Sequence, residues 1–218
     1  MNDFSISMAL VDYIPVVFFA IAAIILLRDL YDKMSKCAYA LFSAGVIDVA
    51  IAGALKATWK LLCAAGACNL EALDAMFFPV QSIGFLLTGI GFLLAGIGIL
   101  NMLLHKNSQK ALMAAIPPVF SGTFVFVGLM VVGLGIMDVV LCILSAKLKK
   151  PWLIAIFAFS FICSLCMGYL SSQDFVKSAM NWIAEGVNVL GQGTLLLGTI
   201  LLHKNGLAKL TLDGGEDQ

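Results

Sequence analysis

Charge is scarce in this chain. Only 12% of its 218 residues are Asp, Glu, Lys or Arg, about half the share of an ordinary soluble domain. That leaves too little polar surface to wrap a soluble globule of this size. Neither sign of charge is in excess, with 13 basic and 13 acidic residues, so no nucleic-acid partner is expected. Histidine is almost absent: His105 and His203 are the only two. With no acidic cluster near either in sequence, a metal hydrolase site is not expected. No glycine-rich phosphate loop, Ser-His-Asp order or Walker motif occurs. A basic start of the kind that opens a secretion signal is missing too. Asp3 precedes the first apolar run, so the first span is expected to be retained. No cofactor or metal is implied, and enzymatic activity is not the favoured reading.

What the chain has is apolar length. It is 61% hydrophobic with a mean hydropathy of +1.03. Apolar runs cover residues 9–27, 37–62, 76–104, 111–148, 151–171 and 182–202. About 20 apolar residues cross a bilayer as a helix, so the fold class is an all-α integral membrane protein. Its first partner is the lipid bilayer. The run 111–148 is too long for one ordinary span and long enough for two short ones.

An internal repeat bears on that choice. Leu103-Leu104-His105-Lys106-Asn107 recurs letter for letter at Leu201-Leu202-His203-Lys204-Asn205. Upstream, residues 74–81 resemble 178–185, and Ser35-Lys36-Cys37 aligns loosely with Lys149-Lys150-Pro151. The layout becomes about seven spans. Repeat one covers about 8–107, a linker helix about 111–127 and repeat two about 128–205, with 206–218 as a short polar tail. The alternative is six helices with a re-entrant segment at 111–122.

Lysine placement favours seven. With the N-terminus outside, inner loops hold Arg28, Lys33, Lys36, Lys106, Lys110, Lys147, Lys149, Lys150, Lys204 and Lys209, and the outer side holds Lys56, Lys60 and Lys177. Ten against three is a positive-inside bias. Six spans erase it. The C-terminus is then cytoplasmic, and the simple pattern fits a bacterial cell inner membrane.

Polar residues inside spans are costly and by default functional. Asn181, Glu185, Asn188, Gln192 and Thr199 are spaced 4, 3, 4 and 7, which puts them on one helical face. Gln81 and Thr88 occupy the same phase in the first half, among Gly84, Gly91, Ala95 and Gly98. A polar stripe facing a small-residue stripe suits either close helix packing or a shared cavity between halves. Asp48 and Asp138 are mid-span carboxylates, and Trp59 lies about 20° from Asp48 around its helix. A carboxyl that exchanges its proton near neutral pH is what proton coupling needs, and Asp48, Asp138 and Glu185 are the candidates.

Cysteine offers two further readings. Cys63 and Cys68 flank a loop and form a candidate disulfide. Cys163 and Cys166 make a C-x-x-C inside a span, the most specific support for a membrane thiol oxidoreductase. Small packing residues are the simpler account of both.

The favoured function is a small-solute transporter or permease. Two homologous halves would meet at a polar, carboxylate-bearing site binding a small polar or cationic solute, with proton coupling as one version. The alternative is a non-transporting membrane sensor or assembly subunit, and a homo-oligomer fits either. The seven-span layout puts Lys149 inside. A single cysteine placed there in a cysteine-free background should resist an impermeant thiol reagent added from outside, and labelling from outside would reject it.

Overall fold

The computed structural model describes residues 5–66, 94–95, 97, 99–100, 103, 123–170 and 178–210. Among these there is no strand. The helices are α1 (Ile6–Val11), α2 (Tyr13–Leu30), α3 (Lys36–Ala64), α4 (Thr123–Lys147), α5 (Trp152–Leu170) and α6 (Ser178–Lys204), with short 3-10 turns at Tyr31–Lys33 and Leu207–Lys209. Three segments are long and apolar enough to cross a membrane: Ile6–Lys33, Lys36–Ala64 and Met180–Lys204. Residues 94–103 are helical wherever they are described, and Ala95 and Ile99 are buried in the core.

Local chemistry sets the helix ends. The Ser5 and Ser35 hydroxyls accept from Met8 N and Ala38 N, each closing an N-terminal turn. α1 and α2 are separated only by Asp12. Pro15 has no N–H to give the Val11 carbonyl four residues back, so the helical ladder breaks there. Gly66 and Gly206 end α3 and α6 at φ of +64° and +95°, a conformation open to glycine at no steric cost. α4 ends the same way on a lysine. Lys149 has φ +57°, Lys150 N donates to Ser145 O and Lys149 N to Ala146 O, and Pro151 prevents the helix from continuing.

Side-chain contacts fix the running directions. Arg28 and Asp29 at the end of α2 touch His203 at the end of α6. Asp12 at the start of α2 and Glu185 in the second turn of α6 both touch Lys60 near the end of α3. So α2 and α6 are parallel, and α3 runs against them. Lys150 lines the same cavity as His203 and Lys204, which places the α4–α5 turn at the His203 end. α4 therefore runs with α2 and α6, and α5 runs back.

α6 is packed most closely by α5 and α2. Its seam with α5 is made by glycine. A methyl added at Gly198 would lie 2.7 Å and 2.8 Å from ring carbons of Phe157, and one at Gly191 3.0 Å from Cys163 Cβ. The Ser160 hydroxyl donates to Gly191 O across the same seam. Small residues that let backbones approach are the usual device for helix pairs in lipid. Ile24, Ile47, Ile51, Val132, Val139, Phe159, Ile162, Leu190 and Leu197 are exposed on the outside of the bundle. Aromatic side chains lie toward the ends, with Tyr31 and Trp152 exposed at one and Tyr169 and Trp182 at the other. Both features fit a lipid surround.

Phe157 is fully buried and has no room to turn away. Gly198→Val should lower stability by roughly 1–3 kcal/mol through overpacking. Denaturant or thermal unfolding of the purified protein checks it, and an unchanged midpoint would mean the seam is looser than described.

Candidate functional site

Three helices bring charge to one buried point. Lys60 Nζ lies 2.6 Å from Asp12 Oδ2 and 2.7 Å from Glu185 Oε1. All three side chains are almost completely buried, at 5–6% exposure for Asp12 and Lys60 and 3% for Glu185. The Pro15 break ends α1 at Asp12 and leaves its carboxylate beside α3. Tyr13, the next residue, donates or accepts at Thr58 with an O–O distance of 2.7 Å, adding a second link between these helices. Lys60 is in the last turns of α3, and its neighbour Trp59 is buried beside it in sequence. Glu185 is on the inward face of α6.

The cluster is not charge-balanced. With every group ionised it holds two negative charges and one positive. Both carboxylates touch the one ammonium, so their own like charges are held close together. Asp12 Oδ1 and Glu185 Oε2 have no hydrogen-bond partner among the described residues, so acceptor capacity is left over for a proton, a water or a cationic group. Lys56, one turn earlier on α3, is exposed at the surface of the bundle, yet its positive charge bears on both carboxylates and offsets their excess.

The expected polar stripe is present. Asn181, Glu185 and Thr199 are buried and Asn188 and Gln192 half-buried, whereas Trp182, Ile183, Leu190 and Leu197 on the other faces are exposed. Gln192 Oε1 and Thr199 Oγ1 are buried with no hydrogen-bond partner among the described residues. The stripe thus runs inward from the ion cluster along α6.

The other expected residues are dispersed. Asp48 is half-buried on α3, twelve residues or about 18 Å along the helix from Lys60. Asp138 is buried on α4, makes no ion pair among the described residues and leaves Oδ1 unpartnered there. Neither carboxylate joins the Lys60 cluster. Trp59 shares α3 with Asp48 but sits at the Lys60 end. Gln81 and Thr88 lie outside the described residues, as does Cys68, so the Cys63–Cys68 pairing has only its first member here. Cys63 is half-buried at the end of α3, and Cys163 and Cys166 are free thiols on α5. Among the described residues no group of three His, Cys, Asp or Glu is arranged to hold a metal.

Sequence reasoning missed Asp12 and Lys60 as the partners of Glu185. It did place Lys60 and Glu185 at the same end of the bundle, which was the available signal. It missed Asp29 as well. Asp29 is buried, and its Oδ2 lies 2.7 Å from His203 Nδ1. Arg28 Nη2 lies 3.2 Å from His203 Nε2. An imidazole protonated at Nδ1 donates to Asp29 and accepts from Arg28, which satisfies both contacts. Lys33 Nζ donates to Ala208 O nearby. Asp29 therefore ties the opposite end of the α2–α6 pair.

Removing one member of a buried ion cluster leaves uncompensated charge. Lys60→Met should cost roughly 3–5 kcal/mol. The combined variant Asp12→Leu/Lys60→Met/Glu185→Leu should recover most of that loss, because no charge remains to be desolvated. Chemical denaturation of the two variants makes the comparison, and a neutral Lys60→Met would sink the electrostatic account.

Compared with known protein families, curated proteins and solved structures, the chain matches none.

Proposed function

We propose that this chain is a multi-pass membrane transporter for a small polar or cationic solute, with the Asp12–Lys60–Glu185 cluster at one end of its pathway. The observation that carries the reading is the burial of two carboxylates and one ammonium from three helices at a single point. Stability does not call for it. Apolar side chains of similar volume hold helices at least as well as a buried ion cluster. Ionisable groups kept inside a membrane bundle are by default part of a solute or proton pathway. A proton gained by either carboxylate changes the net charge of the cluster, which is the device that proton coupling requires. The unpartnered acceptors Gln192 and Thr199 extend the polar path along α6. The unpartnered carboxylate oxygens Asp12 Oδ1 and Glu185 Oε2 are acceptors, which suits a solute that brings hydrogen-bond donors.

The seven-span layout is part of the same proposal. α2 and α6 end on the same side, which supports an odd number of crossings from first to last. The α2–α3 and α4–α5 hairpins turn at the same end and run in the same sense, as two parallel copies would. The positive-inside rule then makes the His203 end cytoplasmic.

A ligand that binds only the folded state stabilises it by mass action, by about 2.7 kcal/mol at a hundredfold excess over Kd. Thermal unfolding of the detergent-purified protein against a panel of small amines, amino acids and neutral polar solutes, at two pH values, is the test. One chemical class should raise the midpoint of the wild type and not of Glu185→Gln. If no solute shifts the wild type at either pH, the transporter reading fails and the cluster is a helix-to-helix tie.

A further inference from the structure

A second polar feature lies at the opposite end of the bundle from Lys60. A cavity of 630 Å³ is lined by Lys150, His203, Lys204, Asn205, Gly206, Ala208 and Lys209. Among the described residues no acidic side chain lines it. Its three lysines come from three separate segments: the α4–α5 turn, the last turn of α6 and the 3-10 turn that follows. A lysine near a helix C-terminus has a local reason to be there, since it offsets the exposed carbonyls. That explains Lys204 alone. Two of the last carbonyls of α6 are already met by backbone and amide groups, with Leu201 O accepting from Asn205 N and Nδ2, and His203 O from Gly206 N. Lys150 and Lys209 therefore have no capping duty on α6. The positive-inside rule accounts for lysine at this end of the bundle but not for three of them around one space.

We propose that this cavity binds a phosphate-bearing anion. Its volume lies in the range of small-ligand sites. Three lysines around one space repel one another, and an anion carrying acceptor oxygens relieves that repulsion. The surroundings match a lipid headgroup in particular. Trp152, two residues beyond Lys150, is 51% exposed, as an aromatic ring at headgroup depth is. Val139 and Ile143 on α4 expose apolar surface further into the span, along which an acyl chain can lie. Basic pockets between helices at a membrane face are a recurrent way of holding anionic lipid headgroups. A soluble phosphate would use the same lysines and ignore the tryptophan and the apolar face. The proposal does not depend on transport, and it stands or falls separately from the Lys60 cluster.

The full chain is reconstituted in nanodiscs of phosphatidylcholine alone and of equal parts phosphatidylcholine and phosphatidylglycerol. In a separate arm, detergent-purified protein receives sodium phosphate or sodium chloride at equal ionic strength. Phosphatidylglycerol should raise the unfolding midpoint of the wild type by roughly 4 °C or more. Lys150→Gln/Lys204→Gln/Lys209→Gln should lose most of that rise. Ala208→Glu, at an exposed position of the same lining, is the second variant and should lose it too. Lys36→Gln, a lysine outside the cavity, should keep it. A response to phosphate beyond chloride, lost in the same variants, assigns the site to a soluble phosphate. No response in either arm overturns the proposal. So does an equal loss in Lys36→Gln, because diffuse surface charge would then account for the effect.

Discussion

The Lys60 ammonium, held between Asp12 and Glu185, is the constraint on which the arrangement of α2, α3 and α6 depends. One charged group has to reach two carboxylates on different helices while all three remain out of water. That requirement explains the Pro15 break, which ends the ladder next to Asp12. It explains why α3 extends far enough to carry Lys60 to the level of the second turn of α6. It also dictates antiparallel passage of α3 past the other two. A cluster of this kind is an expensive way to join helices, and its excess carboxylate is not needed for joining at all. The chemistry it retains, a proton or cation held between acids in a low dielectric, is what makes it the centre of the functional reading.

α6 is the member most constrained by its surroundings. Lys60 holds it at one end, and Asp29 and Arg28 hold it at the other through His203. Between these ties, Gly191 and Gly198 press it against Cys163 and Phe157. The inward stripe of Asn188, Gln192 and Thr199 shares that helix with the glycine seam. Polar groups with no partner among the described residues therefore sit on a backbone with little freedom to move away from them. Such preorganisation lowers the cost of binding a solute.

Much of the fold could be read in the sequence because apolar runs and helices share a cause. The run 37–62 became α3 at Lys36–Ala64, and 151–171 became α5 at Trp152–Leu170. The run 182–202 fell short of α6 by about one turn at its start. Ser178 and Asn181 are polar yet helical, and hydropathy does not register them. The fifth span was expected from about 128, and α4 begins at Thr123. The inward face of α6 was legible because a spacing of 4, 3, 4 and 7 is a statement about one helix. The partners were not. Lys60 meets Glu185 across 125 residues and Asp29 meets His203 across 174. Periodicity reveals which way a side chain faces and is silent on what stands opposite. Asp12 was hidden inside an apolar run, and Asp29 inside a charged string that resembled a simple anchor.

The same separations set an order in time. A ribosome adds about 5–20 residues per second. Lys60 emerges shortly after Asp12, so the base is made soon after the first of its two acids. Glu185 follows 125 residues later, on the order of 6–25 s at that rate. The surplus carboxylate is thus the last charge delivered, when most of the helices that shelter it have been made. Had Glu185 stood on the first helix and Asp12 on the last, the sum would be unchanged. The sequence in which the membrane meets the charges is the same under that exchange, and what matters is that only one acid precedes the base.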